Sequence, residues 1–153
     1  MSTNLQTSIG CLFAVSLNKP ATDDIAGYEA KTWTTVGNVS EIKAVGASVS
    51  PITFTPLSTG IEENHKGVVA YGDGGVMCGY DAADAGQILL LSGVIGANKN
   101  AEFSCRVTLQ DGTKDYYYGK VFTATKTLGA AGAVVSVDYT IKLNSAILSD
   151  LTP

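Results

Sequence analysis

The order of elements in the last third of this 153-residue chain constrains its fold more than any other feature. Residues 80–93 carry the one convincing helix pattern, in which Asp81 can cap the first turn, Asp84 adds negative charge near the N-terminus, and Gly93 can end the helix. Three apolar, β-branched segments follow, at 103–110, 116–125 and 134–143. Almost everything else has the pattern of short strand and loop, so the sequence predicts a mostly-β fold with one helix at about 81–93.

The C-terminal segments predict a hairpin. Apolar residues alternate with polar ones along 103–110, and Asp111–Gly112 is a strong hairpin turn. The return strand contains Tyr116, Tyr117 and Tyr118 in succession, which places aromatic rings on both of its faces. We therefore expect both faces of this strand to be covered, either within the fold or between subunits. A tyrosine platform that stacks on bases or sugars is the alternative, but such platforms pair aromatic rings with a basic groove.

The first half of the chain predicts several short strands. The segment 33–45 favours a strand bent at Gly37–Asn38, because its Thr and Val residues are stiff at χ1. The other predicted strands are 9–17, 49–54, and a pair at 68–71 and 76–80 that flank a glycine-rich turn at 72–75. Residues 18–24 have loop composition.

Residues 55–66 form a polar stretch that contains Pro56, Gly60 and the run Glu62-Glu63-Asn64-His65. Irregular segments of about a dozen residues are uncommon inside compact domains and usually serve a function or are disordered. The sequence therefore predicts a long functional loop at about 55–66.

Length and charge limit the classes of function. A chain of 153 residues fits one domain. Charged residues make up only 16% of it, so much of its surface is uncharged, as in proteins covered by copies of themselves. The net charge is −4 and the only arginine is Arg106, which argues against tight nucleic-acid binding because phosphate neutralisation needs several cations on one face.

The sequence lacks the residue sets of common catalytic and metal sites. His65 is the only histidine, no Gly-x-Ser-x-Gly motif occurs, and Cys11, Cys78 and Cys105 lack zinc-ligand spacing. We expect an exposed His65, free thiols in a reducing compartment, and neither enzyme activity, metal nor cofactor. No segment resembles a secretory signal or a membrane helix, so we expect synthesis in a cytoplasm and no membrane contact.

Three motifs resemble the major tail tube proteins of long-tailed bacteriophages with non-contractile tails, the siphovirus type. They are TVGNVSEI at 35–42, LQDGT at 109–113 and YGKV at 118–121. Each is unspecific alone, but they occur in the family's order, around a long polar loop and a single helix. The resemblance implies a β-sandwich or partly open barrel with one flanking helix, formed by a single tail tube domain over 1–153 with an N-terminal strand and loop at 1–32.

The resemblance also implies a structural virion protein. Hexameric rings would stack into a tube that delivers genomic DNA without binding it specifically. Its partners would be other copies of the chain and the tape-measure, tail-tip and tail-terminator proteins. The location would be the virion tail, after synthesis in the host cytoplasm. The long loop would contact neighbouring rings through seven consecutive residues, Thr59, Gly60, Ile61, Glu62, Glu63, Asn64 and His65.

The tube lumen is expected to be neutral or acidic, because clustered cations would hold DNA phosphates. Glu41 and Asp138 are the candidate lumen carboxylates, since each alternates with apolar neighbours on a predicted strand. Secretion-tube proteins of contractile injection machines share this fold class, and the sequence is compatible with them as well. The alternative from another class is a small β-sandwich module that binds carbohydrate or another ligand and exposes its tyrosines in a groove.

Overall fold

The computed structural model describes residues 5–151 and confirms a mostly-β fold with one main helix. Its elements are β1 (Leu12–Leu17), α1 (Ile25–Glu29), β2 (Thr34–Thr35), β3 (Val39–Ile42), β4 (Ser48–Phe54), β5 (Glu63–Ala70), β6 (Asp73–Gly79), α2 (Ala85–Ile95), β7 (Phe103–Thr108), β8 (Lys114–Thr127), β9 (Ser136–Leu143) and β10 (Leu148–Asp150).

Eight strands form one antiparallel sheet in the order β2-β1-β7-β8-β9-β6-β3, with β10 added beside β8. The sheet does not close into a barrel. The hairpin predicted around Asp111–Gly112 is present: β7 and β8 pair from Phe103 opposite Gly119 to Thr108 opposite Lys114. The 14-residue β8 is long enough to pair with β7 along its first half and with β9 along its second half.

Both faces of the first half of β8 are covered, as its aromatic run predicts. Tyr117 is fully buried in the main core, where α2 contributes Leu90. On the opposite face Tyr116 is 1% exposed and stacks on Tyr28, with ring centroids 5.1 Å apart. Trp33 lies 6.0 Å from the same Tyr116 ring. Stacked aromatic pairs add stability beyond the area they bury, so the N-terminal segment is held against the sheet.

Helix α2 begins three residues later than a cap at Asp81 predicts. The cap is Asp84, whose side chain accepts hydrogen bonds from Gln87 N at 3.0 Å and from Gly37 N at 3.1 Å. Asp81 instead accepts from Ala83 N in the turn before the helix. The prediction was wrong because tertiary contact with the Gly37 backbone selects the capping carboxylate.

The predicted end of α2 was also wrong. Gly93 does not terminate the helix, which runs on to Ile95. Gly93 is buried where α2 crosses the sheet, and a Cβ there would lie 2.1 Å from Phe103 Cε2. Close helix–sheet contact, and not a left-handed cap, accounts for this glycine.

The structure contains two elements that the sequence pattern does not predict. The five-residue α1 is capped by Asp24, whose side chain accepts from Gly27 N, and it buries Tyr28. A helix this short carries no periodic signal and depends on packing. Strand β10 pairs Leu148 with Tyr116 on β8.

The predicted pairing around the glycine-rich turn at 72–75 was wrong. β5 ends at Ala70 and β6 begins at Asp73, so residues 73–75 belong to β6, and the two strands do not pair with each other. β6 pairs with β9 and β3, whereas β5 pairs with β4 in a separate two-stranded sheet. Gly75 has a φ of +135° and lies against the β9 backbone, so a Cβ there would be 2.0 Å from Tyr139 O. The glycine at this position therefore allows β6 and β9 to approach each other closely within the main sheet.

Candidate assembly surfaces

The β4–β5 hairpin has no backing layer. All seven residues of β4 are exposed, and Gly67 is the only residue of β5 that is not. Its exposed apolar side chains are Val49, Ile52, Phe54, Val68 and Val69. An isolated two-stranded hairpin is marginally stable in water, and exposed apolar patches mark interaction surfaces. The hairpin is therefore a candidate contact surface for another molecule.

The predicted loop is shorter and more regular than its composition indicates. β4 ends at Phe54 and β5 begins at Glu63, so the irregular tip covers residues 55–62. Of the seven candidate contact residues, the structure places Thr59, Gly60, Ile61 and Glu62 in this tip and Glu63, Asn64 and His65 at the start of β5.

The tip is ordered by local bonds. Gly60 N donates to Pro56 O at 2.8 Å, and Gly60 has a φ of +64°, which favours glycine. His65 Nε2 lies 3.6 Å from Glu63 Oε2, and both side chains are more than half exposed, as expected for His65. Leu57 and Ile61 point into solvent, so the tip is both apolar and acidic.

The two candidate lumen carboxylates lie on the same face of the main sheet. Asp138 on β9 is opposite Met77 on β6, and Met77 is opposite Glu41 on β3. This face is the one opposite the core, because the alternate residues Val137 and Tyr139 are buried. Both carboxylates alternate with apolar neighbours in the sequence, but only strand pairing brings them onto one face.

Asp138 is paired. Its carboxylate forms an ion pair with Lys43, whose Nζ also donates to Thr140 Oγ1 at 3.1 Å. The exposed Glu41 has no such partner in the described part of the chain. Lys126 lies 3.9 Å from the centroid of the Tyr80 ring, away from this row of carboxylates.

A second row of charges crosses the same face near the base of the hairpin. Lys142 on β9 is opposite Asp73 on β6 and opposite Lys120 on β8. An open cleft of about 630 Å³ lies at this point, lined also by Val69 and Phe122. Phe122 sits at a bulge in β8, is 53% exposed, and lies 5.5 Å from Lys142 Nζ. We call this the lysine cleft, defined by Lys120, Lys142, Phe122, Asp73 and Val69.

The tyrosine run does not form an exposed groove. Tyr116 and Tyr117 are at most 1% exposed, and burial raises the pKa of both phenols. Arg106 lies over the Trp33 ring at 5.1 Å and completes the packing on the Tyr116 face. The binding-module alternative required exposed tyrosines, so this part of it is wrong.

His65 lies on the β4–β5 hairpin, outside the core cluster that contains Cys78 and Cys105. Cys78 and Cys105 are buried free thiols, and burial raises the pKa of Cys78 to about 11, whereas His65 lies on the hairpin. Within residues 5–151, no group of three His, Cys, Asp or Glu side chains could hold a metal ion. No helix in the same residues is long and apolar enough to span a membrane.

Solved structures share this fold, although the sequence comparisons found no match. No protein-family model matches this chain, and no curated protein matches its sequence. A chain of the six-fold symmetrised baseplate of the anti-feeding prophage matches with a TM-score of 0.67 and 9% identity, covering 98% of this chain and 97% of that one.

Two further structures extend the comparison. A chain of the sheath/tube terminator of the extracellular contractile injection system PVC has a TM-score of 0.61 and 9% identity, covering 97% of this chain and 99% of that one. The SPP1 tail tube has a TM-score of 0.53 and 13% identity, covering 92% and 76%. At these identities the comparison establishes a shared fold, that of proteins from phage-like tails.

Proposed function

We propose that this chain is the major tube subunit of a non-contractile, siphovirus-type phage tail, and that it is a structural protein without enzyme activity. Hexameric rings of the single domain stack into a tube through which genomic DNA is delivered. The observation that carries the proposal is the β4–β5 hairpin, an exposed apolar element on a body whose fold is that of phage-tail proteins. Burial against neighbouring copies would remove this apolar area from water.

The hairpin tip supplies the contacts between rings in this proposal. Residues Thr59 to His65 are exposed and project from the body, and a projecting element can reach a neighbouring copy. The partners beyond the chain itself are tape-measure, tail-tip and tail-terminator proteins, and the location is the virion tail after synthesis in the host cytoplasm. Contractile systems share the fold, so the non-contractile assignment rests on the sequence motifs.

Electron microscopy of the concentrated protein tests the assembly. We expect rings or tubes, formed alone or on a tail-tip complex. Protein that stays monomeric under both conditions would overturn the proposal.

Paired substitutions test the role of the tip. Leu57→Ser with Ile61→Ser removes two exposed apolar side chains of the tip, and we expect a folded monomer that no longer polymerises. The matched control is Leu5→Ser with Leu151→Ser, which changes two comparably exposed residues near the described ends of the chain. Normal assembly of the tip variant, or equal loss in the control, would contradict a specific role for the tip.

The proposed lumen wall is the polar face that contains Glu41 and Asp138. In the row that contains these two residues, Lys43 pairs with Asp138 and Glu41 adds a negative charge that is unpaired among the described residues, so this row is weakly acidic. A weakly acidic row would let DNA slide, since it offers no excess of cations to hold the phosphates. A map of the assembled tube tests this wall, and unpaired Lys114, Lys120 and Lys126 directed into the lumen would contradict it.

A further inference from the structure

The lysine cleft holds two like charges side by side. Lys120 and Lys142 are directly opposite on β8 and β9, an arrangement that destabilises a sheet unless an anion offsets it. Asp73 is the neighbouring carboxylate in the row, one negative charge beside two positive ones. No carboxylate of the described residues lies within 4.0 Å of either lysine's ammonium group. The cleft thus has room and net positive charge for an acidic group from outside the chain.

The hairpin tip has the complementary chemistry. Glu62 and Glu63 are the only charged residues in the segment 55–64, and both are exposed. They lie beside Ile61, which is 68% exposed. The cleft offers Phe122 as an exposed apolar surface beside its two lysines. The tip therefore presents negative charge beside an apolar side chain, and the cleft presents positive charge beside an apolar ring.

The two surfaces of one copy cannot meet each other. The lysine cleft lies at the base of the hairpin, where Val69 and Ala70 line it, and the tip lies at the other end. The seven residues of β4 span roughly 20 Å at about 3.3 Å per residue. A tip can therefore enter only the cleft of another copy, and such a heterologous contact repeats from copy to copy.

We propose that Glu62 and Glu63 of one copy bind Lys120 and Lys142 of the next copy, with Ile61 packed on Phe122. This inference rests on the proposed tube function and names the partner of the hairpin tip. The occupant of the cleft is a second copy of this chain.

Charge reversal tests the contact. The tip variant is Glu62→Lys with Glu63→Lys, and the cleft variant is Lys120→Glu with Lys142→Glu. We expect each alone to raise the protein concentration needed for tube formation at least about tenfold, which corresponds to about 1.4 kcal/mol. A 1:1 mixture of the two variants should recover assembly, because each tip meets a cleft of opposite charge wherever copies of the two variants alternate. The chain with all four changes should recover it as well.

The controls separate this contact from general charge effects. Lys19→Glu with Lys99→Glu makes the same charge change at two exposed lysines outside the cleft and should assemble as wild type does. Circular dichroism and urea unfolding establish that each variant folds. Lys120→Gln with Lys142→Gln, which adds no repulsion from Asp73, should show a smaller defect of the same sign.

The outcomes separate the contact from the tube itself. If wild-type protein assembles and both reversed variants assemble equally well, or if the mixture fails to recover, the tip–cleft contact is overturned and the tube function stands. If wild-type protein never assembles, even on a tail-tip complex, both proposals are overturned.

Discussion

The body of this protein and its β4–β5 hairpin are both β-structure, but they are stabilised in different ways. One face of the main sheet packs against α2. The other face is covered in part by the aromatic contact of Tyr28 with Tyr116. The hairpin has complete strand pairing and almost no burial. Backbone hydrogen bonds contribute modestly to net stability because water offers the same bonds, whereas apolar burial dominates. We therefore expect the body to fold alone, whereas in the proposed tube the hairpin gains its burial from neighbouring copies.

The largest expected contrast comes from two phenylalanines. Phe103 is fully buried and Phe54 is 59% exposed. Phe103→Ala should lower the free energy of unfolding by about 3–5 kcal/mol, because it leaves a cavity in the core. Phe54→Ala should change it by less than about 0.5 kcal/mol in dilute protein. Urea unfolding of both variants checks this, and similar losses would mean that the hairpin is packed in the free subunit.

Two glycines give the next contrast. A Cβ at Gly93 would meet the Phe103 ring at 2.1 Å, whereas a Cβ at Gly46, at the base of the hairpin, would meet no atom within 4 Å. Gly93→Ala should cost about 1–3 kcal/mol through overpacking. Gly46→Ala should be neutral or stabilising by up to about 1 kcal/mol, through the unfolded state. Thermal unfolding measures both, and a tolerated Gly93→Ala would contradict rigid packing of α2.

The two aspartates near the start of α2 test which polar contacts the body needs. Asp84→Ala removes the cap and leaves the Gly37 N–H without its acceptor, so we expect a loss of about 1–2 kcal/mol. Asp81→Ala is the matched control. It removes only an exposed turn contact and should lower the free energy of unfolding by less than about 0.5 kcal/mol. Chemical denaturation compares the free energies of unfolding of the two variants. A larger loss in Asp81→Ala than in Asp84→Ala would indicate that Asp81 caps the helix.

The smallest contrast is between the Lys43–Asp138 ion pair and the exposed contact of His65 with Glu63. Asp138→Asn removes the partner of the partly buried Lys43 and should cost about 0.5–1 kcal/mol at low salt, with a smaller loss at high salt. Glu63→Gln removes the exposed partner of His65 on the hairpin and should leave unfolding unchanged within error. Unfolding curves at two salt concentrations test this, and a salt-independent loss in Asp138→Asn would point to packing instead of charge.

Local chemistry in the sequence determined much of the fold. Alternating residues and the Asp111–Gly112 turn fix the β7–β8 hairpin, because side-chain period and turn type need no distant partner. The bend between β2 and β3 follows from Gly37–Asn38, and Asn38 has a φ of +56°. The aromatic run in β8 determined that both of its faces are covered. The irregular tip at 55–62 also follows from composition, because this segment contains Pro56 and Gly60.

Tertiary structure decided the features that depend on residues far apart in the chain. The pairing of β5 with β4 instead of β6 leaves the hairpin exposed, and alternation within a strand does not encode its partner. Strand register places Glu41 and Asp138 on one face and Lys120 opposite Lys142. Docking of α2 against Gly37 and Phe103 decided that Asp84 is the cap and that Gly93 lies within the helix. The physical reason is that packing and register energies outweigh local propensities that differ by about 1 kcal/mol or less per residue.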